Sequence, residues 1–427
     1  MKIIIAPDSY KESLTALEVA ENIEKGINKN IKQIRKFQAV AYQIMGNENM
    51  IYNNIFIKYI PEINKDPQTI WECHLDTTID MKPAMVTNHY TGENEIFVQD
   101  SKNKVYLINK VGRILWEKQL NEEIISEVYQ VDYYKNGKLQ MLFNTKNKIH
   151  LIARNGNYVE RYPVNLPSPA TTGISVFDYA DNKNYRVFIP CENKKVYDYN
   201  IEGNIIDGWQ FGKTDTKVTT PVQHFRVKTK DYIVFADQYR IYILNRRGEV
   251  RVRPEKQFAR SANNPFFLNQ GGTNQKAKIV TTNQSGKVYY VYFDGEVKTV
   301  NFDEFSKGHY FVHEDINSDG REDMVFLDGK KLEVFESSGQ KMFDHKFNKP
   351  IHHEPIYFHF SYNDRKIGIV SEKANKIYLF NSNGKMYKGF PLEGNTPFSI
   401  GFLGNSNRKF NLVVGNKYNF LYNYSVN

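Results

Sequence analysis

Glycines in polar turns recur along this 427-residue chain at nearly constant intervals. Neighbouring members of the series lie 44 to 47 residues apart. They are Gly112, Gly156, Gly203, Gly248, Gly295, Gly339 and Gly384. Turns such as "NGN" and "SNGK" need a positive φ angle, which glycine adopts without steric cost. A series of this length indicates that one supersecondary unit is repeated along the chain.

Between the glycines, apolar and polar residues alternate, which predicts short, half-buried strands. A unit of four strands in about 45 residues has the size of a β-propeller blade. Eight segments have the same strand pattern: "KVYLIN", "KIHLIA", "KVYDYN", "RIYILN", "KVYYVY", "KLEVFE", "KIYLFN" and "NFLYNY". We therefore predict an all-β fold, an eight-bladed β-propeller of four-stranded antiparallel blades over residues 69–427. Seven blades are the alternative.

The eighth unit ends at the C-terminus before its fourth strand. The segment "TIWECHLD" at 69–76 matches "ILWEKQLN" at 114–121, with Trp71 and Trp116 at equivalent positions. We expect residues 69–76 to supply the missing strand and to close the ring, because closure removes exposed sheet edges.

One loop, "DINSDGRED", places oxygen-bearing side chains at alternate positions. Asp315, Asn317, Asp319 and Asp323, with the carbonyl of Arg321, form the type of ligand set that calcium prefers, and Gly320 permits the sharp turn. The loop resembles the calcium loops of FG-GAP-like blades, and residues 69–427 resemble eight-bladed propellers of the quinoprotein-dehydrogenase-like and FG-GAP-like superfamilies. Ca²⁺ is thus one expectation, and a metal-free polar turn is the other. For the degraded copy "FDYADNKNY" at 177–185 we expect no metal.

Propeller dehydrogenases hold a quinone above a central acid and base, and no such set of residues is found here. The blades also carry no repeating Trp-docking motif, so no PQQ is expected. The loops that enter each blade are instead rich in polar side chains. These predict a recognition funnel lined by Thr172, Thr220, Arg260, Asn264, His353 and Thr396, with ordinary loop solvation as the alternative.

The opening "MKIIIAPDSYKESLTALEVAENIEKGIN" reads as a strand, a polar turn and a helix. It resembles the N-terminus of the glycerate kinase family, which phosphorylates D-glycerate with ATP. The resemblance implies a kinase-like turn at Asp8, Ser9 and Lys11. The family's next signature, a D-G-G-x-G loop, has no counterpart, because no "DGG" occurs in the chain. We therefore expect a chimera with no catalytic residues: a kinase-like βα fragment at 1–28, a helical lead-in or linker at 29–68, and the propeller at 69–427.

The formal charge is +9, from 57 basic and 48 acidic residues, but the basic residues are scattered in short turns. A nucleic-acid partner is therefore not expected. Cys73 and Cys191 fit no disulfide framework or metal motif, and we expect both to be buried. No stretch reaches the roughly 18 apolar residues of a membrane span. Without a signal-peptide pattern a cytoplasmic monomer is expected, with a cell-envelope origin of the propeller as the alternative.

These patterns favour a non-enzymatic propeller that recognises a protein or polysaccharide partner through its top-face loops, with calcium as a stabiliser. The alternative function is glycerate kinase activity, which would rest on residues 1–28.

Overall fold

The computed structural model describes residues 37–47, 50–59, 68–271, 275–404 and 409–426. The chain divides into two compact units, 1–67 and 68–427. The kinase-like segment 1–28 lies outside the described residues.

In the first unit, strands β1 (Phe37–Asn47) and β2 (Met50–Tyr59) form an antiparallel hairpin. Val40 pairs with Ile57, and Tyr42 pairs with Ile55. The prediction of a helical lead-in is therefore wrong across these strands. Ile, Val, Tyr and Phe are abundant in this segment, and β-branched and aromatic side chains favour extended backbone.

The second unit contains eight antiparallel sheets in its described part, one for each predicted blade, and the eight-bladed fold is confirmed. We name the strands of a blade a to d in order from the centre. Blade 1 contains β4 (Ala84–Thr87), β5 (Asn94–Gln99), β6 (Lys104–Ile108) and β7 (Ile114–Gln119), and blade 2 contains β8 (Tyr129–Val131), β9 (Gln140–Asn144), β10 (Lys148–Ala153) and β11 (Val164–Asn165). Blade 3 contains β12 (Ser175–Phe177), β13 (Arg186–Pro190) and β14 (Val196–Asn200). Blade 4 contains β15 (Gln223–Val227), β16 (Lys230–Ala236), β17 (Ile241–Leu244) and β18 (Val250–Val252). In blade 3 the outer strand is reduced to a single bridge between Tyr199 and Ile205.

Blade 5 contains β19 (Phe267–Asn269), β20 (Lys278–Thr282), β21 (Val288–Tyr292) and β22 (Val297–Val300). Blade 6 contains β23 (Tyr310–Glu314), β24 (Asp323–Asp328), β25 (Lys331–Phe335) and β26 (Lys341–Lys346). Blade 7 contains β27 (Ile356–Ser361), β28 (Asp364–Ser371), β29 (Lys376–Asn381) and β30 (Leu392–Glu393). A short 3-10 helix (Glu372–Ala374) follows β28. Blade 8 consists of β31 (Ser399–Gly401), β32 (Phe410–Gly415), β33 (Phe420–Val426) and, as its outer strand, β3 (Thr69–His74) from the start of the unit.

Strand β3 closes the ring by pairing with β33. Trp71 pairs with Asn423, and Cys73 pairs with Leu421. Cys73 and Leu75 are buried in a cluster that contains side chains from blades 1 and 8. The last blade is therefore built from both ends of residues 68–427.

Apolar side chains fill the space between neighbouring blades. The described residues form eight buried clusters, and each joins one pair of adjacent blades. Both cysteines are buried, as predicted. Because each blade buries both faces against its neighbours, the stability of a blade depends on the blades beside it.

Tryptophans reinforce two of these seams in the same way. The indole Nε1 of Trp71 donates to the carbonyl of Lys110 at 2.8 Å, and Trp116 donates to Arg154 at 2.6 Å. Each ring packs on the turn glycine of the next blade, Gly112 or Gly156. A Trp-docking arrangement therefore occurs twice, although none was expected from the sequence. It was not visible there because the Trp and the peptide that it contacts are about forty residues apart and belong to different blades.

Candidate binding face

The top face of the propeller carries the d-to-a connections and the b–c turns, and the bottom face carries the a–b and c–d turns. On the top face, each b–c turn lies beside a d-to-a connection. Isolated bridges join the two, as between Ile79 and Asp100 or between Arg260 and Asn283. The residues that enter strand a are thereby fixed around the central axis.

Four of the six predicted funnel residues are buried: Thr220, Arg260, Asn264 and Thr396. Thr172 and His353 are half-buried. The structure brings three of the buried residues together. The Arg260 guanidinium donates to the Asn264 carbonyl and to Thr220 Oγ1, the latter at 3.1 Å.

A hydrogen-bonded network extends from Asn264 into blade 6. The amide Nδ2 of Asn264 lies 2.7 Å from Thr282 Oγ1 and 3.1 Å from His309 Nε2. Its Oδ1 accepts the Phe311 backbone N–H at 2.9 Å. Burial lowers the pKa of Arg260 to about 10, and nearby Asp237 opposes this shift. These side chains join blades 4, 5 and 6 rather than presenting donors to solvent.

Thr396 is engaged within blade 8, because its hydroxyl accepts the Gly415 backbone N–H at 2.9 Å. His353 lies 3.7 Å from the Glu372 carboxylate. Burial lowers the pKa of His353, while Glu372 raises it.

The accessible polar groups of the top face include a set that the sequence interpretation did not select. Lys82, Glu127 and Glu354 each lie two residues before strand a of their blade, at equivalent positions in blades 1, 2 and 7. Glu127 and Glu354 are exposed, and Lys82 is half-buried. Partial removal from water raises the pKa of Glu354, Lys82 lowers it and Glu127 raises it. Side chains from blades 1 and 2 are therefore close enough to influence the charge of Glu354 in blade 7. Their place just before Pro83, Val128 and Pro355 was the available sequence signal.

The predicted calcium loop lies on the bottom face, between strands a and b of blade 6. Asp315 accepts the backbone N–H groups of Asp319 at 3.1 Å and Gly320 at 3.0 Å. Asp323 Oδ2 accepts the Ile316 N–H at 3.0 Å, while its buried Oδ1 has no hydrogen-bond partner among the described residues. Burial raises the pKa of Asp323 to about 6, despite hydrogen bonds that lower it. Carboxylate oxygens of the type that calcium prefers are thus present in the loop. In this structure they accept hydrogen bonds from backbone N–H groups and so stabilise the turn.

Two other a–b turns are built around an aspartate in the same way. Asp178 accepts the N–H groups of Asn182 and Lys183, and Asp132 accepts those of Asn136 and Gly137. At Asp132 the ammonium of Lys183 also approaches the carboxylate, at 2.6 Å. Across the described ranges, no set of three His, Cys, Asp or Glu side chains is arranged as a preformed metal centre.

The kinase-like residues Asp8, Ser9 and Lys11 lie outside the described part of the chain. A sequence model of the glycerate kinase family matches residues 3–42. The glycerate kinase of Neisseria meningitidis serogroup B is 59% identical to this chain over 34 residues. Those residues are 8% of this chain and 9% of the kinase, so the chain matches under a tenth of that relative's length.

Solved propeller structures resemble a much larger part of the chain. Sqt1 from Saccharomyces cerevisiae matches 84% of it and 99% of its own chain, with 10% identity and a TM-score of 0.56. BamB from Moraxella catarrhalis also matches 84% and 99%, with 13% identity and a TM-score of 0.53. BBS1N, solved in complex with ARL6DN, matches 86% and 98%, with 10% identity and a TM-score of 0.50. At these identities the likeness concerns the fold alone.

The part of the chain that the structure describes has no helix of the length and apolar character needed to cross a bilayer.

Proposed function

We propose that residues 68–427 form a non-enzymatic scaffold that binds a partner protein through its top face. The observation that carries this proposal is the accessible charged rim of Lys82, Glu127 and Glu354, held by rigid connections at the mouth of the ring. Charged side chains on rigid loops favour specific association, because complementary charges orient a partner. The resemblance to BBS1N, which was solved with a protein partner, supports this class of function. A polysaccharide is the alternative partner.

The rim gives a direct test of the top face. The variant Lys82→Ala/Glu127→Ala/Glu354→Ala removes it without touching the buried network around Arg260. A matched control, Lys385→Ala/Glu202→Ala/Glu249→Ala, removes the same charges from exposed c–d turns on the bottom face. We expect affinity capture followed by mass spectrometry to lose a protein with the rim variant and to retain it with the control. If both variants capture what the wild type captures, the rim is not the binding surface. A glycan array with the same three proteins tests the polysaccharide alternative.

We further propose that the 315–323 loop binds Ca²⁺ as a stabiliser of the blade 6 hairpin. The Oδ1 of Asp323, which has no partner among the described residues, and the carboxylates of Asp315 and Asp319 support this proposal. In the equivalent turn of blade 2, the Lys183 ammonium lies 2.6 Å from the Asp132 carboxylate, so that turn attracts positive charge. A ligand that binds only the folded state raises the melting temperature. We expect millimolar Ca²⁺ to raise it by about 2–4 °C relative to chelator. Asp319→Asn should abolish the shift, and Asp181→Asn in the degraded copy should preserve it. Identical melting with Ca²⁺ and with chelator would leave the loop a metal-free turn.

Glycerate kinase activity is the second candidate, because the family match at residues 3–42 favours it. The match lacks the rest of the kinase, and we infer that the chain is a chimera without this activity. A coupled ATP-consumption assay with D-glycerate should therefore give background rates. Turnover that disappears in Asp8→Ala would establish the kinase function instead.

A further inference from the structure

A polar cleft of about 730 Å³ opens on the bottom face between blades 5 and 6. Its walls include Asn269, Lys278 and Tyr290 from blade 5, and His313, Arg321 and Glu322 from blade 6. The amide of Asn269 donates to the Glu322 carboxylate at 2.7 Å and joins the two blades across the cleft. A space of this size is typical of sites for small organic ligands.

Lys278 belongs to a set of polar side chains that recurs in every blade. Each lies within the first three residues of strand b, at the bottom of the blade. The other members are Glu95, Gln140, Arg186, Asp231, Asp323, Lys366 and Asn411.

Each of those seven side chains has a polar partner within the protein. The partners are Arg154 for Glu95, the Tyr133 N–H for Gln140, Asp198 for Arg186, Arg226 for Asp231, the Ile316 N–H for Asp323, Asp364 for Lys366 and the Leu403 N–H for Asn411. This is the expected state of buried polar groups.

Lys278 departs from this pattern. Its ammonium lies 5.1 Å from the centroid of the Tyr290 ring and forms no ion pair or hydrogen bond with the described residues. Glu322 is near enough to raise the pKa of Lys278, although burial has the larger, opposite effect. Glu322 is itself engaged with Asn269, and the exposed guanidinium of Arg321 adds a second positive charge to the cleft. The cleft therefore carries more positive than negative charge. In the other blades, the side chain at the position of Lys278 has a polar partner within the protein.

His313 is a buried part of the same wall. It is only 4% exposed, and its Nδ1 lies 3.1 Å from the Asp323 carbonyl, to which it donates. The other ring nitrogen, Nε2, then carries the lone pair of a neutral imidazole and has no partner among the described residues. Because Nε2 is not accessible to solvent, His313 shapes the wall of the cleft but makes no polar contact with a ligand there.

We propose that this cleft binds a small anion, with its carboxylate or phosphate on Lys278 and Arg321. The ligand would replace the internal partner that the equivalent side chains of the other blades have. This site is separate from the top-face rim, and either can fail without the other.

Calorimetric titration of the full chain tests the proposal with three probes: D-glucuronate, D-glucose 6-phosphate and neutral D-glucose. We expect at least one of the two anions to bind, and to bind at least about tenfold more tightly than glucose, because a charge-assisted contact is worth at least that ratio. The preferred anion distinguishes a carboxylate ligand from a phosphate ligand. Absence of binding by both anions up to about 10 mM, the weak limit of specific affinity, would overturn the proposal. Equal binding of glucose would also overturn it.

Lys278→Met should weaken anion binding about tenfold or more, and Arg321→Met should weaken it less, because that side chain is more exposed to solvent screening. Lys287→Met, on the top side of the same blade, is the matched control and should bind like the wild type. Lys278→Met breaks no ion pair, and the methionine sulfur can replace the ammonium against the Tyr290 ring, so the melting temperature should change little. Wild-type anion affinity in a folded Lys278→Met protein would contradict the assignment.

Discussion

At the scale of single residues, Gly112 shows how one position couples two blades. Its φ angle is +82°, a conformation that side chains with a Cβ rarely adopt. A Cβ placed there would also lie 2.8 Å from Cδ2 of Trp71, which belongs to the neighbouring blade. Glycine thus meets two separate demands, a local turn and a close contact across the seam.

Gly112→Ala should lower the free energy of unfolding by about 2–4 kcal/mol, since the backbone strain and the clash with Trp71 add. Gly137→Ala is the control, because Gly137 has the same φ angle of +82° but no atom within 4 Å of the added Cβ. It should cost only the strain, about 1–2 kcal/mol. Chemical denaturation of the two variants measures the difference. Equal losses would show that the Trp71 contact contributes nothing.

His150 is a buried histidine whose protonation should affect folding. It lies 2.9 Å from the Tyr158 hydroxyl and 3.3 Å from Thr145 Oγ1. Burial lowers its pKa from the ordinary value to about 4. The unfolded chain therefore takes up a proton on this residue at a higher pH than the folded protein does, and acid favours unfolding.

We expect this contribution to destabilise the protein as the pH falls from about 6.5 towards 4, by up to about 3 kcal/mol. His150→Gln removes the titrating group and should flatten the dependence of the melting temperature on pH across this window. His352→Gln, at an exposed histidine, should retain the wild-type profile. A His150→Gln profile as steep as that of the wild type would contradict this role.

At the scale of elements, the closing strand β3 joins the start of the second unit to its end. It covers the outer edge of β33 and places Cys73 and Leu75 in the cluster between blades 1 and 8. Without it, β33 would present unpaired backbone groups, which promote association between chains.

Two truncations separate this strand from the first unit. A chain that begins at residue 68 retains β3 and should melt like the full-length protein, because residues 68–427 form a compact unit of their own. A chain that begins at residue 77 lacks β3 and should melt at least several degrees lower and form oligomers. Thermal melting and size-exclusion chromatography of both chains provide the test. Equal behaviour would mean that β3 is dispensable for closure.

The hairpin of β1 and β2 illustrates the limit of pattern reading at this scale. Residues 29–68 were predicted as a helical lead-in from their Asn, Ile and Lys content. In Phe37–Asn47 and Met50–Tyr59, β-branched and aromatic side chains combine with strand pairing to give extended backbone. Pairing between segments is not visible in either segment alone.

At the scale of the whole molecule, the ring packs the faces of the blades against one another, and the free sheet edges that remain lie on the outer strands. Each described blade packs on two neighbours through a buried cluster, so its apolar faces are already covered within the chain. We therefore expect a monomer, with light scattering giving a single species near the chain mass of 49.9 kDa. A dimer mass across the micromolar range would contradict this expectation.

The candidate sites were less predictable than the fold. The polar residues before strand a were visible in the sequence, but only the packing distinguishes the buried network of Thr220, Arg260 and Asn264 from the accessible Lys82 and Glu354. The lack of a polar partner for Lys278 among the described residues could not be predicted from the sequence. It is recognised only by comparison with the seven equivalent side chains, each of which has a partner in the structure. Side-chain satisfaction is a property of three-dimensional neighbours and not of local pattern.

The sequence by itself determined the architecture: the spacing of Gly112 and its equivalents set the number of blades, and the Trp71 and Trp116 segments indicated how the ring closes. Both are local signals, since a tight turn and an alternating strand depend on neighbouring residues in the chain. Only the tertiary structure decided which polar side chains face one another and which face solvent. It also revealed that Trp71 docks on the next blade and that Lys278 lies in an open cleft. Those outcomes depend on packing between blades, which joins residues that are about forty positions or more apart.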